Sequence, residues 1–134
     1  MNIAVIPARG GSKRIKKKNI KFFSGHPIIY YSIKTALDSK LFDEIIVSTA
    51  DEEIANISKN LGAKIPFMRP KDIADDFTPT QPVIVHAIKK CIELGKSFEN
   101  VCTIYPTAPF MTVKDLISSF KLFKKNKNYF CFPI

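Results

Sequence analysis

Apolar runs of membrane length are missing from this 134-residue chain. No stretch approaches the roughly 20 residues that a transmembrane helix requires. The opening run NIAVI (2–6) is too short for a secretory signal, and its basic residues follow it rather than precede it. A cytoplasmic protein with no membrane partner is therefore expected. Cysteine is also scarce: Cys91, Cys102 and Cys131 are odd in number and widely spaced, with no CxxC pair. That excludes a disulfide framework and a zinc site, and points to buried or half-buried thiols in a reducing compartment. The five glycines accommodate neither G-x-x-x-x-G-K-[ST] nor G-x-G-x-x-G, so two well-known phosphate loops are absent. Acidic residues are few, 12 against 21 basic ones, which leaves a net charge of +9.

The surplus charge is clustered. Residues 13–21 (KRIKKKNIK) carry six basic side chains and no acidic one. Lys121, Lys124, Lys125 and Lys127 form a second group, read as a solvated face. Such clusters attract polyanions. A nucleic-acid-binding module is the competing class. The basic run lacks interleaved aromatic residues, however, and no recognition motif accompanies it, so no nucleic-acid partner is expected. Hydrophobic residues at 46% and charged residues at 25% suit one globular domain spanning 1–134.

Apolar periodicity alternates between strand and helix. Strands are expected at 3–6, 44–48, 64–70, 101–105 and 129–132. Helices are expected at 27–39, 51–61, 82–95 and from about Thr112 onward. Pro27 suits a first helical turn, Asp51 an N-cap, Gly62 a helix stop, and Thr80 a further N-cap. Ile84, Ala87, Ile88 and Cys91 should form the inner face of the third helix. Strands separated by helices favour an α/β fold with a mostly parallel sheet covered on both faces, a three-layer sandwich. Ligands in such sheets lie outside the C-terminal ends of the strands. The segments of interest are therefore 7–25, 48–51, 69–81 and 105–112.

The first of these reads PARGGSKRIKKKNI (7–20). Gly10 and Gly11 lack Cβ atoms, so the backbone can turn sharply and bring its N–H groups near a ligand. Arg9, Ser12, Lys13 and Lys18 can donate to phosphate oxygens. His26 belongs to a turn, and His86, mid-helix, is read as a packed or surface histidine.

The run IPARGGSKRIKKKNIK (6–21) with GHPIIYYSI (25–33) resembles the opening of CMP-sialic acid synthetases and related cytidylyltransferases. IIVSTADEEIA (45–55), RPKDIADDFTPTQPVIVHAI (69–88) and IYPTAPF (104–110) resemble further segments of that family in the same order. The likeness covers essentially the whole chain. SKRI (12–15), DDFTPTQPVIVHAI (75–88) and the IYPTAPF turn lean toward the enzymes that act on pseudaminic acid. Tyr105 stands where many sialic acid enzymes have Gln.

The resemblance implies a Rossmann-like fold of the nucleotide-diphospho-sugar transferase type. It implies CTP and an acidic nine-carbon sugar as partners, with release of pyrophosphate. Arg9, Lys13 and Lys18 would be the catalytic cations. Ala8, Arg9, Gly10, Gly11, Ser12, Lys13, Asn19, Arg69 and Thr80 would bind the nucleotide, with Arg69 and Thr80 on the cytosine side. Tyr105, Thr107 and Pro109 would border the sugar. The alternative roles are an ion pair of Arg69 with Asp72 or Asp75, and a Thr80 that only caps its helix. Members of the family are longer. The chain is therefore expected to be the N-terminal part, lacking the Mg²⁺ ligands and the homodimer arm. Cytidylyltransferases for neuraminic, legionaminic or eight-carbon acids, and a non-catalytic remnant, are the rival readings.

Overall fold

The computed structural model describes residues 1–11, 17–75, 77–126 and 131. At its centre β1 (Asn2–Pro7) lies between β4 (Glu44–Ser48) and β5 (Asn100–Thr103), all parallel. Ile3, Ala4, Val5 and Ile6 have no exposed surface. Alternation along β1 sends Ala4 and Ile6 to one face and Ile3 and Val5 to the other. The two faces have separate cores. Ala4, Ile6, Ile45 and Val47 pack with Ile29, Ile33 and Ala36 of α1 (Ile29–Ser39), Ile54 of α2 (Glu52–Asn60) and Leu116 of α4 (Val113–Lys125). Ile3, Val5 and Ile46 pack with Ala87 and Cys91 of α3 (Thr80–Glu93). Three layers result, and the near-continuous apolar runs of β1 and β4 follow from cover on both faces.

Local chemistry sets the helix ends. Asp51 caps α2, its carboxylate accepting the Ile54 N–H at 3.0 Å. Gly62 ends that helix at φ +105°, a conformation that strains other residues. Thr112 and Asp115 form a reciprocal capping box at the start of α4.

The structure corrects several expectations. Pro27 is not in a helix: β2 (Phe22–Phe23) and β3 (His26–Pro27) form a hairpin in which Phe22 pairs with Pro27. Ser24 and Gly25 at its tip both have positive φ, 47° and 89°, as a tight two-residue hairpin turn requires. Residues 64–70 make only a one-residue parallel bridge between Lys64 and Ile46, because Pro66 and Pro70 deprive the ladder of donors. Thr80 is not a cap. It is the first residue of α3, and Pro79 precedes it with no side-chain cap. Val83 joins Ala87 and Cys91 among the buried residues of α3, Ile84 packs half-buried against the same core as expected, and Ile88 is half-buried. The strand expected at 129–132 lies outside the described residues, apart from Cys131.

At the N-terminal end of the sheet Glu44 receives Lys96 Nζ at 2.6 and 2.7 Å and Lys64 Nζ at 3.1 Å. The Lys96 ammonium, and secondarily that of Lys64, holds the Glu44 carboxyl below its ordinary value of about 4.5. A depressed carboxyl stabilises the fold above its unfolded-state value and loses that contribution as pH falls through the folded one. Glu44→Gln is expected to cost about 1–3 kcal/mol at pH 7, from loss of charge-assisted hydrogen bonds. The deficit should vanish well below pH 4.5. Urea denaturation of both proteins at neutral and acid pH measures this.

Candidate active site

β1 has β4 on one side and β5 on the other: the chain leaves β1 for β4 through α1 on one face and returns to β5 through α3 on the other. Such a reversal of strand order opens a crevice. A cleft of about 200 Å³ lies there. Pro7, Arg9, Gly11, Lys18 and Asn19 line it from the segment after β1. Arg69, Asp75, Thr78, Thr80 and Val83 line it from the approach to α3, and Tyr105, Pro106 and Thr107 from the turn after β5. That turn is fixed from below, because the buried Ser32 hydroxyl of α1 donates to the Tyr105 carbonyl at 2.7 Å.

Arg69 is only 6% exposed. Its Nε donates to Ser48 Oγ at 3.2 Å and its Nη2 to the Ser48 carbonyl at 2.7 Å. Its main-chain N–H donates to Thr49 O at 2.8 Å. Among the described residues it has no carboxylate partner, so neither Asp72 nor Asp75 pairs with it. Burial, reinforced by the positive charge of Arg9, lowers its pKa to about 10, which leaves it cationic at neutral pH. A buried cation balanced only by neutral acceptors favours an anionic or acceptor-rich ligand.

The segment after β1 is held at several points. Ala8 N–H donates to the Ser48 carbonyl at 2.9 Å, so that oxygen serves both this segment and Arg69. The buried Asn19 donates from Nδ2 to the Arg9 carbonyl at 2.7 Å. Arg9 Nη1 reaches the Asp75 carbonyl at 3.4 Å. Gly10 lies against Asp51, where an added Cβ would sit 2.7 Å from that side chain. Lys17, at φ +50°, turns away to bond Glu53, with Asp51 at 4.0 Å, while its neighbour Lys18 faces the cleft. The Asp75 carboxylate accepts from Thr78 Oγ1 at 2.7 Å, Thr78 N at 2.7 Å and Phe77 N at 3.0 Å. Those bonds, Thr78's first, hold its carboxyl below the ordinary value.

Of the residues singled out by sequence, the fold brings Arg9, Gly11, Lys18, Asn19, Arg69, Thr80, Tyr105 and Thr107 to one cleft. Ala8 is fully buried beneath it in the core. Gly10 backs onto Asp51, and Pro109 is not on the cleft wall. Ser12 and Lys13 lie outside the described residues. His86 packs edge-on to Phe67, with ring centroids 5.2 Å apart, and burial lowers its pKa. His26 of β3 stacks on Tyr30 of α1.

Sequence reasoning missed Ser48, Asp75 and Thr78. The D-x-x-T spacing of Asp75 and Thr78 is an Asx-turn signal that could have found the latter two. Nothing in the sequence separates Ser48 from any small residue ending a strand. Among the described residues no group of three or more His, Cys, Asp or Glu could hold a metal. The two carboxylates nearest the loops are committed, Asp51 to a helix cap and Asp75 to its turn. The described side chains do not suit a metal site.

A family model described as Cytidylyltransferase matches residues 3–132. Pseudaminic acid cytidylyltransferase of Campylobacter jejuni subsp. jejuni serotype O:2 is 42% identical over 98% of this chain and 56% of its own length. CMP-N,N'-diacetyllegionaminic acid synthase of Legionella pneumophila subsp. pneumophila is 37% identical over 81% of this chain and 47% of its own. The chain thus spans about half the length of these curated relatives. Among solved structures, a CMP:2-keto-3-deoxy-manno-octonic acid synthetase complexed with CTP superposes with a TM-score of 0.78 at 21% identity. That match covers 93% of this chain and 48% of the other, and shows the shared fold.

Gly10→Ala should force the turn away from Asp51, whose Cβ and Oδ2 stand 2.7 Å from the new methyl. The expected loss is about 1–3 kcal/mol, typical of an overpacked contact. Equilibrium unfolding measures it, and unchanged stability would show that the turn relaxes freely.

Proposed function

This chain belongs to the cytidylyltransferase family, and on that premise we propose that it forms the CTP-binding part of an enzyme that joins CMP to a nonulosonic acid. Pseudaminic acid is the substrate favoured here, with the sugar's anomeric hydroxyl attacking the α-phosphorus and pyrophosphate leaving. The observation that carries the reading is Arg69, buried with no carboxylate partner among the described residues, on the wall of a cleft that Arg9 and Lys18 also line.

The chemistry asked of these residues is positioning and charge stabilisation, since no protein nucleophile is needed. Arg9 and Lys18 meet the triphosphate and stabilise charge developing on the departing pyrophosphate. Ser12 and Lys13 complete that phosphate grip. Asn19 keeps Arg9 in place through the Arg9 carbonyl. Arg69 offers donors suited to cytosine O2 and N3, with Thr80 beside it. Tyr105 and Thr107 border the sugar.

Two pseudaminic acid relatives match at 42% over 98% of the chain, against 37% and 39% over 81% and 80% for two legionaminic acid ones, which supports the choice of sugar. Homodimer formation belongs to the same proposal for the whole protein.

CTP is expected to raise the melting temperature more than ATP, GTP or UTP, with and without Mg²⁺. Arg69→Gln should weaken CTP binding by about 10- to 100-fold, as expected for a lost charge-assisted bond. Equal shifts from all four nucleotides would overturn the CTP reading. A panel of acidic sugars supplied with CTP to the full-length protein tests the choice of sugar.

A further inference from the structure

We propose that Ser48 is the positioning residue for Arg69, and that it fixes which edge of the guanidinium faces the ligand. This rests on the reading that the cleft takes CTP. A guanidinium has five N–H donors in a rigid plane. Ser48 accepts two of them, the Nε–H on its hydroxyl at 3.2 Å and one Nη2–H on its carbonyl at 2.7 Å. Two bonds from one plane to one residue stop the group rotating about its own axis. The donors left over are the pair on Nη1 and the second on Nη2, and Arg69 lines the cleft.

Ser48 itself touches no ligand. It has no exposed surface and does not line the cleft. It is well placed to hold another group because three donors from two residues meet on it. Its carbonyl takes the Ala8 N–H at 2.9 Å as well as Arg69. The Thr49 carbonyl beside it takes the Arg69 main-chain N–H at 2.8 Å. β4 therefore holds both ends of residue 69, main chain and side chain.

The free edge presents adjacent, roughly parallel N–H groups, which suit two adjacent acceptors. Cytosine offers O2 and N3. Uracil offers O2 but carries a hydrogen on N3, which opposes an N–H donor. A guanidinium held in one rotation discriminates between the two bases, whereas one free to rotate adapts to either. Ser48 thereby contributes to base choice through Arg69.

The test is a double-mutant cycle. Isothermal calorimetry gives CTP and UTP affinities for the wild type, Ser48→Ala, Arg69→Lys and the double variant. Ser48→Ala is expected to weaken CTP about tenfold, the size of one lost bond to a charged group. UTP should change by less than about twofold, so the preference for CTP falls with it. In the Arg69→Lys background the same substitution should change CTP affinity by less than about twofold, since a lysine has no Nε–H for the hydroxyl to hold.

Equal weakening of CTP and UTP, the same loss in both backgrounds, or no loss at all would overturn the proposal. Ser48→Cys keeps the side-chain volume while weakening the acceptor. It replaces Ser48→Ala if cooperative melting shows that the latter does not fold. A wild type that binds no CTP removes the CTP reading and this inference with it. A wild type that binds CTP as well as Ser48→Ala does removes only this inference.

Discussion

The carbonyl of Ser48 joins the sheet to the cleft. It ends β4, receives the first N–H beyond β1, and receives the guanidinium of Arg69. Because β1 and β4 are paired in register up to Pro7 and Ser48, the two chains arrive at this oxygen together. From there they part, one toward Arg9 and Asn19, the other toward Asp51 and α2. The cleft exists because three segments that leave parallel strands in different directions are anchored to neighbouring main-chain atoms before they separate.

Among the described residues, hydrogen bonds to main-chain atoms hold the segments that form the cleft. Asn19 acts on Arg9 through a carbonyl, Ser32 acts on Tyr105 through a carbonyl, and Asp75 spends its charge on its own turn. Neutral hydrogen bonds hold the frame. The cations Arg9, Lys18 and Arg69 line the opening. Lys17, which Glu53 and Asp51 approach, points away from the cleft toward α2.

Much of this was readable from sequence, and the parts that were not share a cause. β1, β4, α1, α2 and α4 follow from apolar period and capping chemistry, which are local signals. Arg9, Gly11, Lys18, Asn19, Arg69, Thr80, Tyr105 and Thr107 were reached through four ordered segments that resemble a known family. The Ser24–Gly25 hairpin escaped because Pro27 fits a helix start as well as a strand edge, and only pairing with Phe22 decides between them. Residues 64–70 have strand composition, but prolines left a single bridge at Lys64. Ser48 was invisible because its role depends on what arrives from 21 residues downstream. Arg69's freedom from Asp72 and Asp75 likewise depends on tertiary direction, not on spacing.

Glu44 and Ser48 stand at opposite ends of the same five-residue strand. Their separation is roughly 13 Å at about 3.3 Å per residue. That exceeds the screening length of physiological salt, about 8 Å. The effect of a charge change at the lower rim of the sheet is therefore attenuated at the ligand end. An engineer can rework the Lys64, Lys96 and Glu44 cluster for heat tolerance without retuning the binding cations, and a natural lineage can drift there just as freely.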